Sequence, residues 1–196
     1  EIPVVRGEWH TPAALMAVAD GMGGGQDGDW CARRLCELVG RADAAQLPAG
    51  PALADSLKDI QASLCREASS DYCGTTLAGV LIQNGKAAIF NAGDSRVYKR
   101  HSDGRLERIS HDHGLVQQLI DSGDITLEEA FIHPQRHILT FGLGPAFMPL
   151  WLEGTAPHVL VEEPAPGQSY FICSDGVSDS IPDNVLATCL RSFELG

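Results

Sequence analysis

The stretch "TTLAGVLIQNGKAAIFNAG", residues Thr75–Gly93, contains two apolar runs that are separated only by Asn84 and Gly85. Asn-Gly between two such runs is a strong signal for a β-hairpin, because both residues tolerate the positive φ angles of a type I′ turn. Two further short segments, "SRVYKR" and "RLERIS", follow and are joined through "HSDG". The pattern predicts an antiparallel meander that continues beyond the hairpin.

The segments on either side of this meander supply further strands and helices. Upstream, "AALMAVAD" predicts a buried strand, and apolar residues at helical spacing predict helices over about 29–41 and 53–64. Downstream, "HVLVEE" and "SYFICS" predict two strands, and Pro182 predicts the first turn of a final helix capped by Ser180. Helices that are segregated from an antiparallel sheet indicate a layered α+β fold.

Residues 113–149 differ in sequence pattern from the strand-rich segments on either side of them, and they are called the flap below. "LVQQLIDSG" predicts a short helix stopped by Gly123, and "TLEEA" has a capping-box pattern from Thr126 to Glu129. This is too little sequence for a second core. We therefore expect one domain over residues 1–196, with the flap as a subregion within it.

Composition excludes some classes of function. The chain has 196 residues and a net charge of −12, and it contains no cluster of Lys and Arg that could follow a nucleic-acid backbone. No apolar run approaches the ~20 residues that span a membrane. The six cysteines are interpreted as buried, reduced thiols, so we expect a cytoplasmic protein. The acidic surplus suits either carboxylates around divalent cations or a merely soluble surface.

Two apolar runs each end on an acidic residue followed by glycine: "AVADGMGGG" at Asp20-Gly21 and "FICSDG" at Asp175-Gly176. A carboxylate at the end of a buried strand is costly unless it is solvated, hydrogen-bonded or bound to a cation. The two carboxylates can converge if their strands lie side by side or face each other. Such oxygen-rich clusters select Mg²⁺ or Mn²⁺ over zinc, and glycine lets the backbone turn sharply. The alternative is that each Asp-Gly pair is only a turn.

Six motifs in order, "VADGMGG", "CGTTLAG", "NAGDSRVY", "HDHGLVQQLIDSGDIT", "ILTFGLG" and "FICSDGVSD", resemble those of metal-dependent PP2C-type (PPM) Ser/Thr protein phosphatases, most closely the bacterial branch. The resemblance implies a sandwich of two antiparallel sheets flanked by helices, with two Mn²⁺ or Mg²⁺ ions at one end. It implies that Asp20 bridges both ions as a catalytic ligand, that the Gly21 carbonyl binds one ion, and that Asp175 binds the other. Asp112, together with Asp175, matches the ligands of a third, weaker ion.

The chain departs from the family pattern in three places. Family members carry an acidic metal ligand and a phosphate-binding Arg in an early strand, and they end on an Asp-Asn dipeptide. We expect both elements to lie outside Glu1–Gly196, because "PDNV" follows "SDG" too closely to be the second one. Met22 occupies a position where some members carry a His that could act as a general acid, so water or substrate must protonate the leaving group here.

The sequence therefore leads to the hypothesis of a protein phosphatase that hydrolyses phosphoserine and phosphothreonine with a metal-activated water. The implied partners are phosphoprotein substrates and a cognate bacterial kinase, and we expect a monomer. Asp94, Ser95 and Arg96 of "GDSR" are interpreted as a turn and a buried polar network. The alternative hypothesis is a catalytically inactive PP2C-like domain that binds phosphoproteins or regulators.

Overall fold

The computed structural model of the protein describes residues 13–22 and 26–191, apart from the side chain of Gln26. Its strands are β1 (Ala13–Val18), β2 (Gly21–Met22), β3 (Gly74–Thr75), β4 (Leu77–Gln83), β5 (Lys86–Ala92), β6 (Arg96–Arg100), β7 (Leu106–Arg108), β8 (His158–Glu162) and β9 (Ser169–Cys173). Its helices are α1 (Gln26–Arg41), α2 (Leu53–Glu67), α3 (Leu115–Ser122), α4 (Leu127–Phe131), α5 (Met148–Leu152), α6 (Asp175–Ser178) and α7 (Asp183–Arg191), with a 3-10 turn at Pro145–Phe147.

The predicted hairpin is confirmed. β4 and β5 pair in antiparallel register out to Gln83 and Lys86, and the two residues between them have φ angles of 51° at Asn84 and 77° at Gly85. Positive φ at both turn positions matches the right-handed twist of the strands. The hairpin forms the centre of the first sheet, whose strand order is β1-β4-β5-β8.

Both faces of this central hairpin are buried, which explains why its strands are continuously apolar. Side chains alternate along a strand, so Leu77 and Leu81 of β4 pack against the α1 and α2 side, whereas Ala78 and Val80 pack against the second sheet. The second sheet has the order β7-β6-β9. Its outer face is covered by α7 through Leu186. The layers are helix, sheet, sheet and helix, as the α+β sandwich hypothesis expected.

The predicted meander is interrupted after the hairpin, although its last two segments do pair in antiparallel fashion as β6 and β7. β6 does not pair with β5; the chain crosses at residues 93–95 into the second sheet, where β6 pairs with β7 and β9. The crossing depends on Gly93, whose φ is 99° and whose missing Cβ would lie 2.7 Å from the Thr76 side chain. The chain therefore leaves the first sheet directly beside Thr76.

Two helix starts differ from the predicted ones. α1 begins at Gln26 rather than near residue 29. α7 begins at Asp183, and the Ser180 hydroxyl donates to the Gly176 carbonyl at 2.9 Å instead of capping it. The Thr126–Glu129 capping box and the stop at Gly123, with φ of 81°, are both confirmed.

The cysteines are only partly as predicted. Three of them, Cys31, Cys73 and Cys173, are buried, but Cys36 and Cys189 are exposed because they lie on the solvent faces of α1 and α7. Among the helices in the described part of the chain, none combines the length and apolar character needed to cross a membrane.

The flap returns to the core after its two helices. Phe141, Leu143 and Phe147 belong to the main hydrophobic cluster, and Leu143 bridges to Thr75 of β3. The preceding part, by contrast, exposes large apolar side chains, with Leu127 at 64% and Ile132 at 76%. Packing therefore anchors the last third of the flap, whereas α4 and the residues around it lie mainly on the surface.

The buried side chain of Gln61 fixes this returning segment to α2. The Gly144 N–H donates to Gln61 Oε1 at 2.7 Å, and Gln61 Nε2 donates to the Gly144 carbonyl at 3.0 Å. Gly144 has a φ of 105°, and a Cβ there would lie 2.8 Å from the Cys73 carbonyl oxygen. The Gln61 amide therefore satisfies a buried backbone position that no strand reaches.

We predict that Gln61→Ala lowers the free energy of unfolding by about 2–4 kcal/mol, since it leaves the buried Gly144 N–H unsatisfied and opens a cavity, while the Gly144 carbonyl keeps its bond from the Phe147 N–H. Gln118→Ala, at an exposed position of α3, is the matched control and should change stability by less than about 0.5 kcal/mol. Urea denaturation followed by circular dichroism measures both. Equal midpoints for the two variants would contradict the role given to Gln61.

Candidate functional site

Asp20 follows β1, and its backbone is held by two buried threonines. The Asp20 N–H donates to Thr76 Oγ1 at 3.0 Å. The Asp20 carbonyl accepts from the Thr76 N–H at 2.8 Å and from Thr75 Oγ1 at 3.0 Å. Thr76 Oγ1 also bonds Ser95 Oγ at 2.7 Å. The sequence alone indicated no role for these threonines at the site, but their contacts fix the position of the Asp20 backbone.

Asp175 reaches the same place from the second sheet, as the first residue of α6 after β9. The carboxyl groups of Asp20 and Asp175 are in hydrogen-bonding contact. Burial, and then the negative charge of Asp175, raise the pKa of the Asp20 carboxyl above its ordinary value, while a hydrogen bond with Ser174 acts in the opposite direction. The structure thus brings together the two acids at the strand ends.

Asp94 is a third acid at this end of the sandwich, and sequence reasoning had interpreted it as part of a turn and a buried polar network. Burial, followed by the charges of Asp175 and Asp112, raises the pKa of Asp94 to about 7. The sequence did contain a signal for this acid: in "NAGD", Asp94 comes at the end of a predicted strand, after one glycine, much as Asp20 and Asp175 come at strand ends. Strongly raised carboxyl pKa values cluster at functional sites, where burial and like charges act together.

Asp112 is placed differently from Asp20 and Asp175. It is 7% exposed, and its Oδ2 accepts from Arg96 at 2.7–2.8 Å and from Arg108 at 3.3 Å. Its Oδ1 is buried and has no hydrogen-bond partner within the described structure. The polar network predicted around Arg96 is therefore present, and it leaves one Asp112 oxygen free to accept a cation or a water.

The two glycines of the Asp-Gly pairs have different roles. A Cβ on Gly21 would lie 2.1 Å from the Gly28 carbonyl oxygen, so glycine lets β2 lie directly against the first turn of α1. A Cβ on Gly176 would meet nothing closer than Ser174 Oγ at 3.8 Å. The expectation of a sharp turn that requires glycine is therefore wrong for Gly176, which continues into α6.

The flap contacts the site through Asp179, the residue that directly follows α6. Asp179 lies one helical turn after Asp175, and its N–H donates to the Asp175 carbonyl at 2.8 Å. Arg136 Nε lies 3.3 Å and His137 Nδ1 3.1 Å from Asp179 Oδ2. Sequence reasoning assigned no role to His137 and did not single out Asp179.

Taken together, the side chains here offer carboxylate oxygens that repel one another, and an unpartnered buried oxygen on Asp112. The ion pairs in the described part of the chain include none to Asp20 or Asp175. Carboxylate oxygens in this arrangement are suited to hard divalent cations, whose charge would offset both the burial and the repulsion that raise the pKa of Asp20 and Asp94. Met22, half-buried against Gly74, brings no ionisable group to this place.

The chain is similar to known bacterial phosphatases over nearly its whole length. It is 32% identical over 193 residues to the Ser/Thr protein phosphatase PstP of Mycobacterium tuberculosis, which covers 95% of this chain and 36% of PstP. Among solved structures, Stp1 of Staphylococcus aureus has a TM-score of 0.77 at 29% identity, over 92% of this chain and 72% of that one. The PstP catalytic domain in complex with two manganese ions has a TM-score of 0.70 at 28% identity, over 98% and 82%.

This chain therefore spans about a third of the curated relative PstP, although it covers most of the structurally compared chains. A family model for protein phosphatase 2C matches residues 7–193. The matched residues include Asp20 and Asp175, which follow strands, and the polar network around Asp112. The chain belongs to the protein phosphatase 2C family.

Proposed function

We propose that this protein is a metal-dependent phosphatase that hydrolyses phosphoserine and phosphothreonine in proteins. The observation that carries the proposal is the contact between the carboxyl groups of Asp20 and Asp175 in a chain of this family. A protein that only bound phosphoproteins would have no need to hold two like charges together at the end of its core.

Asp20, the Gly21 carbonyl and Asp175 are the residues we assign to two Mn²⁺ or Mg²⁺ ions. Their oxygens fit hard cations, and the PstP catalytic domain was solved with two manganese ions. When bound, such ions supply a water of lowered pKa at neutral pH and offset the charge of a phosphate. Asp112, through its unpartnered Oδ1, is assigned to a weaker third ion together with Asp175.

The protein's own contribution is to hold these oxygens in place. Thr75 and Thr76 fix the Asp20 backbone, and Arg96 with Arg108 fixes Asp112 by its other oxygen. Partners that orient metal ligands typically account for 10–100-fold in metal affinity or activity. Since Met22 cannot donate a proton, the leaving serine or threonine oxygen takes its proton from water or from the substrate.

The proposed substrate implies further partners. A phosphatase for phosphoserine and phosphothreonine requires a kinase that makes those groups, and we infer a bacterial Ser/Thr kinase as its opponent. We propose that the enzyme acts on this kinase's products as a monomer in the cytoplasm.

We predict that Asp20→Asn removes nearly all Mn²⁺-dependent hydrolysis of p-nitrophenyl phosphate by the complete protein, at least a hundredfold, because one ligand charge to both ions is lost. Asp59→Asn, on the exposed face of α2, is the matched control and should keep full activity. Steady-state kinetics at saturating Mn²⁺ measures both. Full turnover by Asp20→Asn, or by the unmutated protein in excess chelator, would contradict the metal mechanism. If the unmutated protein shows no turnover, the result favours the alternative of a catalytically inactive domain.

We predict that the metal-free protein loses stability as the pH rises from about 4 to 7. Folding raises the pKa of Asp94 to about 7, so the folded state keeps a proton that the unfolded chain releases near pH 4. The proton on Asp94 contributes fully to the free energy of unfolding below about pH 4. As the pH rises to about 7, this contribution falls by up to about 1.4 kcal/mol per pH unit.

Thermal unfolding of the unmutated protein and of Asp94→Asn across pH 4–8 tests this, since the asparagine variant lacks the titrating group and should show a flatter profile. Mn²⁺ should raise the melting temperature of the unmutated protein more at pH 8 than at pH 5, because the cation offsets charge that is present only at the higher pH. Superimposable pH profiles for the two proteins would show that Asp94 does not hold the proton.

A further inference from the structure

Two buried thiols meet between α1 and the start of β3. Cys31 lies on the inner face of α1 and is 0% exposed, and Cys73, which directly precedes β3, is 1% exposed. The thiols of Cys31 and Cys73 are in hydrogen-bonding contact. A Cβ on Gly144 would lie 3.0 Å from Cys31 Sγ and 2.8 Å from the Cys73 carbonyl oxygen, so both cysteines lie against the same buried glycine. The packing of α1 on β3 therefore places one sulfur beside the other.

Only a surface turn separates Cys73 from solvent. The Cys73 thiol donates to the Ser70 carbonyl at 3.4 Å, and the Ser70 hydroxyl accepts from the Tyr72 N–H at 3.3 Å. Tyr72 is 86% exposed, and residues 69–72 belong to no helix or strand. Segments with few buried contacts open locally at a small free-energy cost. Opening of this turn gives a small reagent access to the Cys73 sulfur.

We propose that Cys31 and Cys73 form a reversible disulfide when hydrogen peroxide oxidises the protein. The Cys73 thiolate attacks one peroxide oxygen, the O–O bond breaks, and Cys73 becomes a sulfenic acid while hydroxide leaves. The Cys31 sulfur then attacks the Cys73 sulfur, the S–S bond forms and the S–O bond breaks. The two thiol protons convert the two departing hydroxides to water. The pair thus loses two electrons, and one peroxide is reduced to two waters.

The surroundings of the pair keep it reduced in the closed fold. Burial raises the pKa of both thiols, so each is protonated and unreactive at neutral pH while the turn is closed. The hydrogen bond with Cys31 has the opposite effect on the pKa of Cys73, which favours Cys73 as the sulfur that ionises. The pair is therefore expected to respond to sustained oxidation, and a small thiol reopens the disulfide by exchange.

The new bond would act on the site through β3. Thr75, two residues after Cys73, donates from its hydroxyl to the Asp20 carbonyl at 3.0 Å. An S–S bond is about 2.05 Å long, shorter than any contact between two thiols, so closing it draws the start of β3 towards α1. A displacement of about 1 Å at a catalytic group is enough to slow turnover severely. This effect on turnover rests on the proposed function, whereas formation of the disulfide does not.

A purely structural reading of the same contact is that both cysteines fill the core as small apolar side chains. In that reading peroxide leaves the pair unchanged and oxidises more accessible thiols. Cys36 is exposed on the same helix as Cys31. Cys65 is partly exposed, and its sulfur accepts from Gln61 Nε2 at 3.2 Å. The two readings therefore differ in which cysteines peroxide changes.

The test is oxidation of the complete, reduced protein with hydrogen peroxide, removal of the peroxide with catalase, and alkylation of the remaining thiols in denaturant. Peptide mapping by mass spectrometry without reduction then identifies the cross-linked cysteines. Cys31→Ala removes one partner, and Cys36→Ala, on the exposed face of the same helix, is the matched control. Mn²⁺-dependent hydrolysis of p-nitrophenyl phosphate is measured before oxidation, after it, and after dithiothreitol.

We expect a peptide in which Cys31 and Cys73 are linked with the loss of two hydrogen atoms. Turnover should fall at least about fivefold and return with dithiothreitol, in the unmutated protein and in Cys36→Ala, whereas Cys31→Ala should resist peroxide. Alkylated Cys31 and Cys73 after oxidation, or a link from either one to Cys65, would overturn the proposal. An equal, reversible loss of turnover in Cys31→Ala would overturn the effect on the site.

The mapping of the unmutated protein decides the question even if Cys31→Ala does not fold. It also separates this proposal from the proposed function. A reduced protein that has no turnover but still yields the peptide linking Cys31 to Cys73 would contradict the proposed function and leave the disulfide standing.

Discussion

The contact between Asp20 and Asp175 joins the two sheets at the end where both strands stop. Each acid comes from a different sheet, so the contact exists only if the sheets pack in one register over Val80, Ile89 and Val97. Holding two carboxylates together in a partly buried place is unfavourable, and burial together with the charge of Asp175 raises the pKa of Asp20. The core that packs the sheets thus stabilises a charge arrangement that a divalent cation would favour.

A continuous polar network extends from this site to the far side of the second sheet. Arg96 pairs with Asp112 and also donates to the Tyr98 hydroxyl at 3.4 Å, and the fully buried Tyr98 donates to Asp183 at 2.9 Å in the first turn of α7. Buried networks of this kind are costly when one member is removed. Asp112 is therefore constrained by residues of β6, β7 and, indirectly, α7.

The sequence predicted best what is decided locally. The hairpin turn at Asn84-Gly85, the capping box at Thr126 and the strand-end position of Asp20 each depend on a few neighbouring residues. The crossing between sheets at Gly93 and the bonds from Thr75 and Thr76 to Asp20, which span 55 and 56 residues, depend on packing that no local pattern encodes. Asp94 was missed for the same reason: in sequence it is an ordinary turn acid, and only the fold brings it near Asp175. Asp179 lies one helical turn after Asp175, but its contact with the flap likewise depends on the fold.

The most direct test of the account is a crystal structure of the complete protein with Mn²⁺, with anomalous scattering recorded at the manganese edge. The account predicts at least two manganese peaks at the end of the sandwich, with carboxylate oxygens of Asp20 and Asp175 at about 2.0–2.3 Å from them. An active, Mn²⁺-loaded protein whose manganese peaks lie away from both carboxylates would contradict it.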